Sequence, residues 1–228
     1  GIFLNYIGLG SNLLHLSYCH EIAKKYGPVT IITLCKNLDQ ALEDGAIGMS
    51  TGLYYEPAAY ASTDEVIALA KSVHEAGGIH TTHMRNEGDE IEKSLQETFR
   101  IGLDADVPIV ISHHKVGGVH NFGRSKETLQ MIDQAKKAQS VGFDVYPYIA
   151  SSTVLGVKRL EAASRILVTW SKSHPEMAGQ DLAEIAKNMN VGLVDAAKAL
   201  APAGAIYFMM SEDDVQRILS HPNAMIGS

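Results

Sequence analysis

The chain has 228 residues, a formal net charge of −7 and 46% hydrophobic residues, which is enough to form one large core. Because the charge is mildly acidic and the basic residues are scattered, a nucleic acid is not expected as a partner. No apolar run reaches the ~18 residues that a membrane span needs, and the start of the chain lacks the pattern of a signal peptide. The two cysteines, Cys19 and Cys35, form no disulfide framework and no metal-ligand pair, so a cytoplasmic protein is expected.

Short apolar segments that are bounded by turn residues predict strands at regular intervals along the chain. Between them, apolar residues recur with the period of a half-buried helix. Ser62 and Glu65 have the spacing of a capping box before one of these helices, and Gly77 follows its end. The predicted strands are 5–10, 45–50, 78–83, 108–113, 142–147 and 223–228, and the predicted helices are 30–42, about 62–76, 90–103 and about 125–139.

This alternation of strands and helices predicts βα units and a parallel sheet, so the fold class is α/β. The residues alone leave two architectures open: an open doubly wound sheet, or a partial (β/α)8 barrel of the TIM type that lacks its first units. Residues 150–212 interrupt the alternation with helical patterns and predict an inserted helical subdomain or lid. The predicted organisation is therefore barrel units in 1–149, the insertion in 150–212, and the last barrel helix and strand in 213–228.

Two of the predicted strands end in a histidine that is followed by a basic residue. His83 precedes Arg85, and His113 precedes Lys115. Because the carboxyl ends of parallel strands meet at one edge of a sheet, the two imidazoles can converge on a divalent ion such as zinc. The alternative is that each histidine is a hydrogen-bonded structural residue and that the two cations are solvated surface charges.

Six blocks of sequence carry a family resemblance from about residue 36 to the end of the chain. They are DGAIGMSTGLYYEPAAYAS, THMRNEGD, ISHHKVGGVHNFGRSKETLQMID, VYPYIASST, HPEMAGQDLAEIA and PAGAIYFMM. In their order and spacing, these blocks resemble the N-acyl-D-amino-acid deacylases (D-aminoacylases) of the amidohydrolase superfamily. The resemblance implies the metal-dependent barrel rather than the open sheet, and about strands three to eight of it.

The same resemblance implies roles for individual residues. His83 and His113 correspond to zinc ligands after the fifth and sixth barrel strands. The substrate-binding residues that it implies fall into three groups: those that bind the carboxylate, Lys115, Tyr146 and Ser152; Arg85, which supports the site; and those that line the side-chain pocket, Tyr54, Tyr207 and Met210.

The resemblance implies a zinc-dependent hydrolase that cleaves the amide bond of a small N-acyl-D-amino acid. The family's other metal ligands, a His-x-His pair and a cysteine, correspond to positions upstream of residue 1, and its catalytic aspartate to a position just after Ser228. The isolated chain is therefore expected to be inactive. Alternatives are a non-catalytic remnant or split-barrel subunit that binds acyl-amino acids, and an amidohydrolase that acts on cyclic amides.

Overall fold

A computed structural model of the chain describes the short strand Asn5–Tyr6 and residues 38–227. Cys19, Cys35 and most of the helix predicted at 30–42 lie outside the described residues. Within that part of the chain, no helix has the length and apolar character needed to cross a membrane. The chain divides into two compact units: the first contains the described residues up to His114, Lys126–Tyr146 and residues 219–227, and the second contains Lys115–Ser125 and Pro147–Ile218.

The first unit is built on a six-stranded parallel sheet. Its strands pair in chain order, each with the next. They are β1 (Asn5–Tyr6), β2 (Gly48–Gly52), β3 (Ile79–His83), β4 (Ile109–Ile111), β5 (Val141–Val145) and β9 (Ala224–Ile226). The helices of this part of the chain are α1 (Leu38–Glu43), α2 (Thr63–Glu75), α3 (Ile91–Ala105) and α4 (Ser125–Ala135). The predicted alternation of strands and helices is thus present, with boundaries that differ by a few residues.

Local sequence explains where these elements begin and how closely they pack. The Ser62 hydroxyl accepts a hydrogen bond from the Glu65 N–H at 3.2 Å, so the predicted N-cap of α2 is confirmed. Gly48 lies so close to β3 that an added Cβ atom would stand 2.0 Å from the Ile79 carbonyl oxygen. Apolar side chains of the strands, such as Phe143, are buried in the core. Because the strands are parallel, their carboxyl ends lie at the same edge of the sheet.

The second unit contains a three-stranded antiparallel sheet that the sequence did not predict. It consists of β6 (Ala150–Val154), β8 (Ala203–Phe208) and β7 (Arg165–Ser171), in that order across the sheet. Its helices are α5 (Leu182–Met189), α6 (Leu193–Leu200) and most of α7 (Glu212–Leu219). The helical patterns of the predicted insertion are present, but the segment also contains these three strands. The sequence did not reveal the strands because their apolar runs are too short to identify by periodicity.

Candidate metal centre

Two adjacent strands bring His83 and His113 together. His83 is the last residue of β3, and His113 follows the end of β4 by two residues. The strands are parallel and pair Thr82 with Ile111, so their carboxyl ends lie side by side. The fold therefore places the two predicted metal-ligating residues at one edge of the sheet.

The two imidazole rings are in direct contact. Their centroids lie 4.6 Å apart with an interplanar angle of 73°. His83 Nδ1 lies 2.9 Å from His113 Nε2, and both side chains are largely buried. Zinc binds imidazole nitrogen at about 2.0–2.1 Å, so the two nitrogens are close enough to share one ion after a small adjustment.

A carboxylate completes the group on the side of the rings that faces away from this contact. Glu87 Oε1 lies 3.0 Å from His113 Nδ1, and Glu87 Oε2 lies 3.6 Å from His83 Nε2. One ligand atom from each of the three residues can be chosen so that all lie within 4.8 Å of one another. This donor set fits a zinc ion, with Glu87 either as a third ligand or as the acceptor that orients the His113 imidazole through its Nδ1–H.

The sequence did not single out Glu87, which the structure brings to the two histidines. The signal was its position four residues after His83. Because the intervening residues leave the strand and turn, a carboxylate at this distance can fold back onto the histidine that ends the strand. Periodicity cannot reveal such a turn, and the structure was needed to find it.

Aromatic rings surround the histidine pair. The Tyr54 ring packs edge-on against His83 with centroids 5.8 Å apart, and the Tyr55 ring lies 5.0 Å from His83. On the other side, the Tyr146 ring lies 6.3 Å from His113. The structure thus brings the predicted residues Tyr54 and Tyr146 to the centre and adds Tyr55, which the sequence did not single out.

Arg85 is predicted to support the site, and its guanidinium is engaged with other parts of the first unit. Its Nε and Nη2 donate to the two carboxylate oxygens of Glu97, each at 2.9 Å, and the other bonds go to the carbonyl oxygens of Ala59 at 2.7 Å and Ala61 at 2.9 Å. Those carbonyls belong to the loop that follows Tyr54 and Tyr55. Arg85 therefore contacts the loop that follows Tyr54 and Tyr55, and through this loop it can affect the position of the two rings beside His83.

His80 lies on the same strand as His83 but is a different kind of residue. It is fully buried, its Nε2 lies 2.9 Å from the Thr51 hydroxyl, and burial lowers its pKa to about 4. A neutral imidazole in the core that is hydrogen-bonded to a strand hydroxyl has a structural role. His80 is therefore set apart from the pair at the strand ends.

Comparison with known proteins adds independent information, although no family model matches the chain. A D-aminoacylase of Alcaligenes xylosoxydans xylosoxydans is 52% identical over 190 residues, which are 83% of this chain and 39% of the relative. An N-acyl-D-aspartate deacylase of the same organism is 47% identical over 192 residues, 84% of this chain and 39% of the relative. Over this segment, the chain is homologous to N-acyl-D-amino-acid deacylases. It spans about two fifths of the length of these relatives.

Solved structures of the deacylase family extend this similarity to the fold. A D-aminoacylase described as defining a novel subset of amidohydrolases has a TM-score of 0.79 and 54% identity, covering 83% of this chain and 40% of that protein. An N-acyl-D-glutamate deacylase from Bordetella bronchiseptica, complexed with zinc and a phosphonate inhibitor, has a TM-score of 0.80 and 46% identity, with the same coverage. The chain therefore shares the α/β fold of these amidohydrolases.

Four residues that the deacylase resemblance implies for substrate binding belong to the second unit. Lys115 and Met210 are buried, with the sulfur of Met210 3.8 Å from the Ser151 hydroxyl, whereas Ser152 is exposed on β6. Tyr207 is fully buried in the core of this unit, where its hydroxyl contacts backbone groups. Their roles toward a substrate stay predictions.

Proposed function

We propose that this chain is part of a zinc-dependent hydrolase that cleaves the amide bond of N-acyl-D-amino acids and releases a carboxylate and a free D-amino acid. The observation that carries the proposal is the contact of 2.9 Å between His83 Nδ1 and His113 Nε2 at the ends of two adjacent parallel strands. The deacylases that share its sequence and fold give the substrate class.

We also infer that the parallel sheet is a segment of a (β/α)8 barrel. Six strands pair in chain order without reversal, whereas a doubly wound sheet changes direction at a switch point. A barrel carries its active site at the carboxyl ends of the strands, which is the edge where the histidine pair lies. The sheet order thus supports the same location as the side chains.

In this proposal, His83 and His113 hold the ion and Glu87 supports them from the other side. When zinc is bound, it polarises a substrate carbonyl and lowers the pKa of a water molecule. Tyr54, Tyr55 and Tyr146 restrict the access of bulk water to the pair by packing around the two rings. A drier site strengthens the interaction of the Glu87 carboxylate with the His113 Nδ1–H, which keeps His113 Nε2 available to the ion.

Substrate recognition is proposed from the similarity to the deacylases. In the first unit, Tyr146 is proposed to donate a hydrogen bond to the substrate carboxylate and Tyr54 to contact the substrate side chain, and both rings contact the histidine pair. For residues of the second unit, the same similarity implies carboxylate binding by Lys115 and Ser152 and contact with the substrate side chain by Tyr207 and Met210, and these roles stay predictions.

Zinc titration by calorimetry tests the metal centre, and hydrolysis tests the reaction. The chain is expected to bind zinc, and His83→Ala or His113→Ala is expected to weaken binding at least tenfold, whereas His120→Ala, which changes an exposed histidine, is a matched control without effect. The complete gene product is expected to hydrolyse N-acetyl-D-methionine, N-acetyl-D-aspartate or N-acetyl-D-glutamate faster than the L-isomer. Equal zinc binding by the His83, His113 and His120 variants would contradict the metal centre, and selectivity for the L-isomers would contradict the substrate class.

A further inference from the structure

His113 has an unusual backbone conformation at the position where its ring must face His83. Its φ angle is 42°, in the left-handed region that residues other than glycine seldom adopt. Among the described residues, Asp106 and Asn190 are the other non-glycine residues with positive φ, and each is the C-cap of a helix, where this conformation is common. His113 instead follows a strand, so another feature of the structure has to hold it.

That feature is Asp144, which lies on the neighbouring strand β5. Its carboxylate oxygen Oδ1 accepts a hydrogen bond from the His113 N–H at 2.7 Å, and its backbone carbonyl accepts one from the His114 N–H at 2.6 Å. A single residue therefore binds two consecutive N–H groups of the turn. The bond to the carboxylate is charge-assisted and stronger than one between neutral groups.

Gly227 leaves the space in which this carboxylate lies. A Cβ atom added at Gly227 would stand 2.4 Å from Asp144 Oδ1 and 2.7 Å from its Cγ. The Gly227 N–H donates to the Val145 carbonyl at 3.0 Å, which fixes the end of β9 beside β5. Any side chain at position 227 would therefore displace the Asp144 carboxylate from the His113 N–H.

We propose that Asp144 is a positioning residue for the metal centre and that Gly227 is required because it makes room for the Asp144 carboxylate. Asp144 holds His113 in the left-handed conformation, and this conformation directs His113 Nε2 at His83 Nδ1. Asp144 acts through the backbone of His113 rather than as a ligand. The proposal rests on the proposed function only in that the histidine pair binds zinc.

Zinc affinity of four variants of the protein tests this arrangement. Asp144→Ala and Gly227→Ala are expected to lower the affinity by about 10–100-fold, the range found for residues that orient metal ligands. Asp144→Asn retains an acceptor oxygen and is expected to stay within about threefold of the parent, since the hydrogen bond rather than the charge is needed. Asp104→Ala, which changes an aspartate that pairs with Arg100, is the matched control with parental affinity.

Amide hydrogen exchange, measured by NMR on the parent protein and on Asp144→Asn, tests the positioning role of Asp144 separately from zinc binding by the histidine pair. Slow exchange of the His113 amide in metal-free protein supports the bond to Asp144, and rapid exchange there would overturn it even if zinc binds. Equal loss of zinc affinity in Asp144→Asn and Asp144→Ala would overturn the positioning role in favour of a direct effect of charge. Failure of the parent to bind zinc would overturn the proposed function, while the exchange of the His113 amide still decides the role of Asp144.

Discussion

Replacing Arg85 distinguishes two roles for this residue: stabilising the loop that contains Ala59 and Ala61, or touching the substrate directly. The guanidinium makes a two-pronged ion pair with Glu97 and donates to the carbonyls of Ala59 and Ala61; Arg85 is 30% exposed and Glu97 12%. Hydrogen bonds from a charged donor are worth about 1.5–3 kcal/mol each, and partial exposure favours the lower end. The two carbonyl bonds then contribute about 3 kcal/mol, before any cost of leaving Glu97 unpaired.

Urea denaturation of Arg85→Ala, Arg85→Lys and Arg100→Ala measures this contribution. Arg85→Ala is expected to lower the free energy of unfolding by about 3 kcal/mol or more, and Arg85→Lys by about 1.5 kcal/mol, because one ammonium cannot serve Glu97 and both carbonyls. Arg100, which is 53% exposed in its ion pairs, is the matched control, and its replacement is expected to leave the urea midpoint almost unchanged. If Arg85→Ala is as stable as Arg100→Ala and only substrate affinity falls, the loop argument is refuted.

Three further substitutions test buried contacts, two in the parallel sheet of the first unit and one in the core of the second unit. Burial lowers the pKa of His80 to about 4, so below about pH 6.5 the unfolded chain binds a proton that the folded chain does not. The free energy of unfolding is therefore expected to fall by about 3 kcal/mol between pH 6.5 and 4. In urea denaturation at several pH values, His80→Gln is expected to lack this part of the pH dependence. Gly48→Ala forces a Cβ atom against the Ile79 carbonyl and is expected to destabilise the chain by about 3 kcal/mol or more; a loss under about 1 kcal/mol in urea denaturation would contradict that close approach. Tyr207→Phe removes two hydrogen bonds between the Tyr207 hydroxyl and the backbone and is expected to lower the free energy of unfolding by about 1–2 kcal/mol. An unchanged melting temperature would show that these two hydrogen bonds contribute little.

The parallel sheet could be predicted from the sequence because its elements alternate at regular spacing. The Ser62 cap, the strand that ends in His83, the strand that His113 follows, and the proximity of these two histidines all follow from local patterns and the geometry of parallel strands. The sheet of the second unit was missed, since β7 and β8 are short apolar runs that periodicity alone cannot distinguish from helix.

The supporting polar groups of the centre could not be predicted from the sequence. Glu87 reaches the histidines through a turn, and Asp144 holds His113 through a backbone bond from the adjacent strand. Neither contact has a sequence spacing that a pattern could recognise, because both depend on the exact path of the chain after a strand. The close approach of Gly227 to Asp144 is likewise a consequence of tertiary structure.

Nitrogen NMR of the histidine rings, recorded with and without zinc, tests directly whether the pair holds the ion. Zinc is expected to shift the signals of His83 Nδ1 and His113 Nε2, which lie 2.9 Å apart, while the nitrogens that face Glu87 keep their protons. If zinc leaves both of these ring signals unchanged, or shifts those of other histidines instead, His83 and His113 do not form the metal centre.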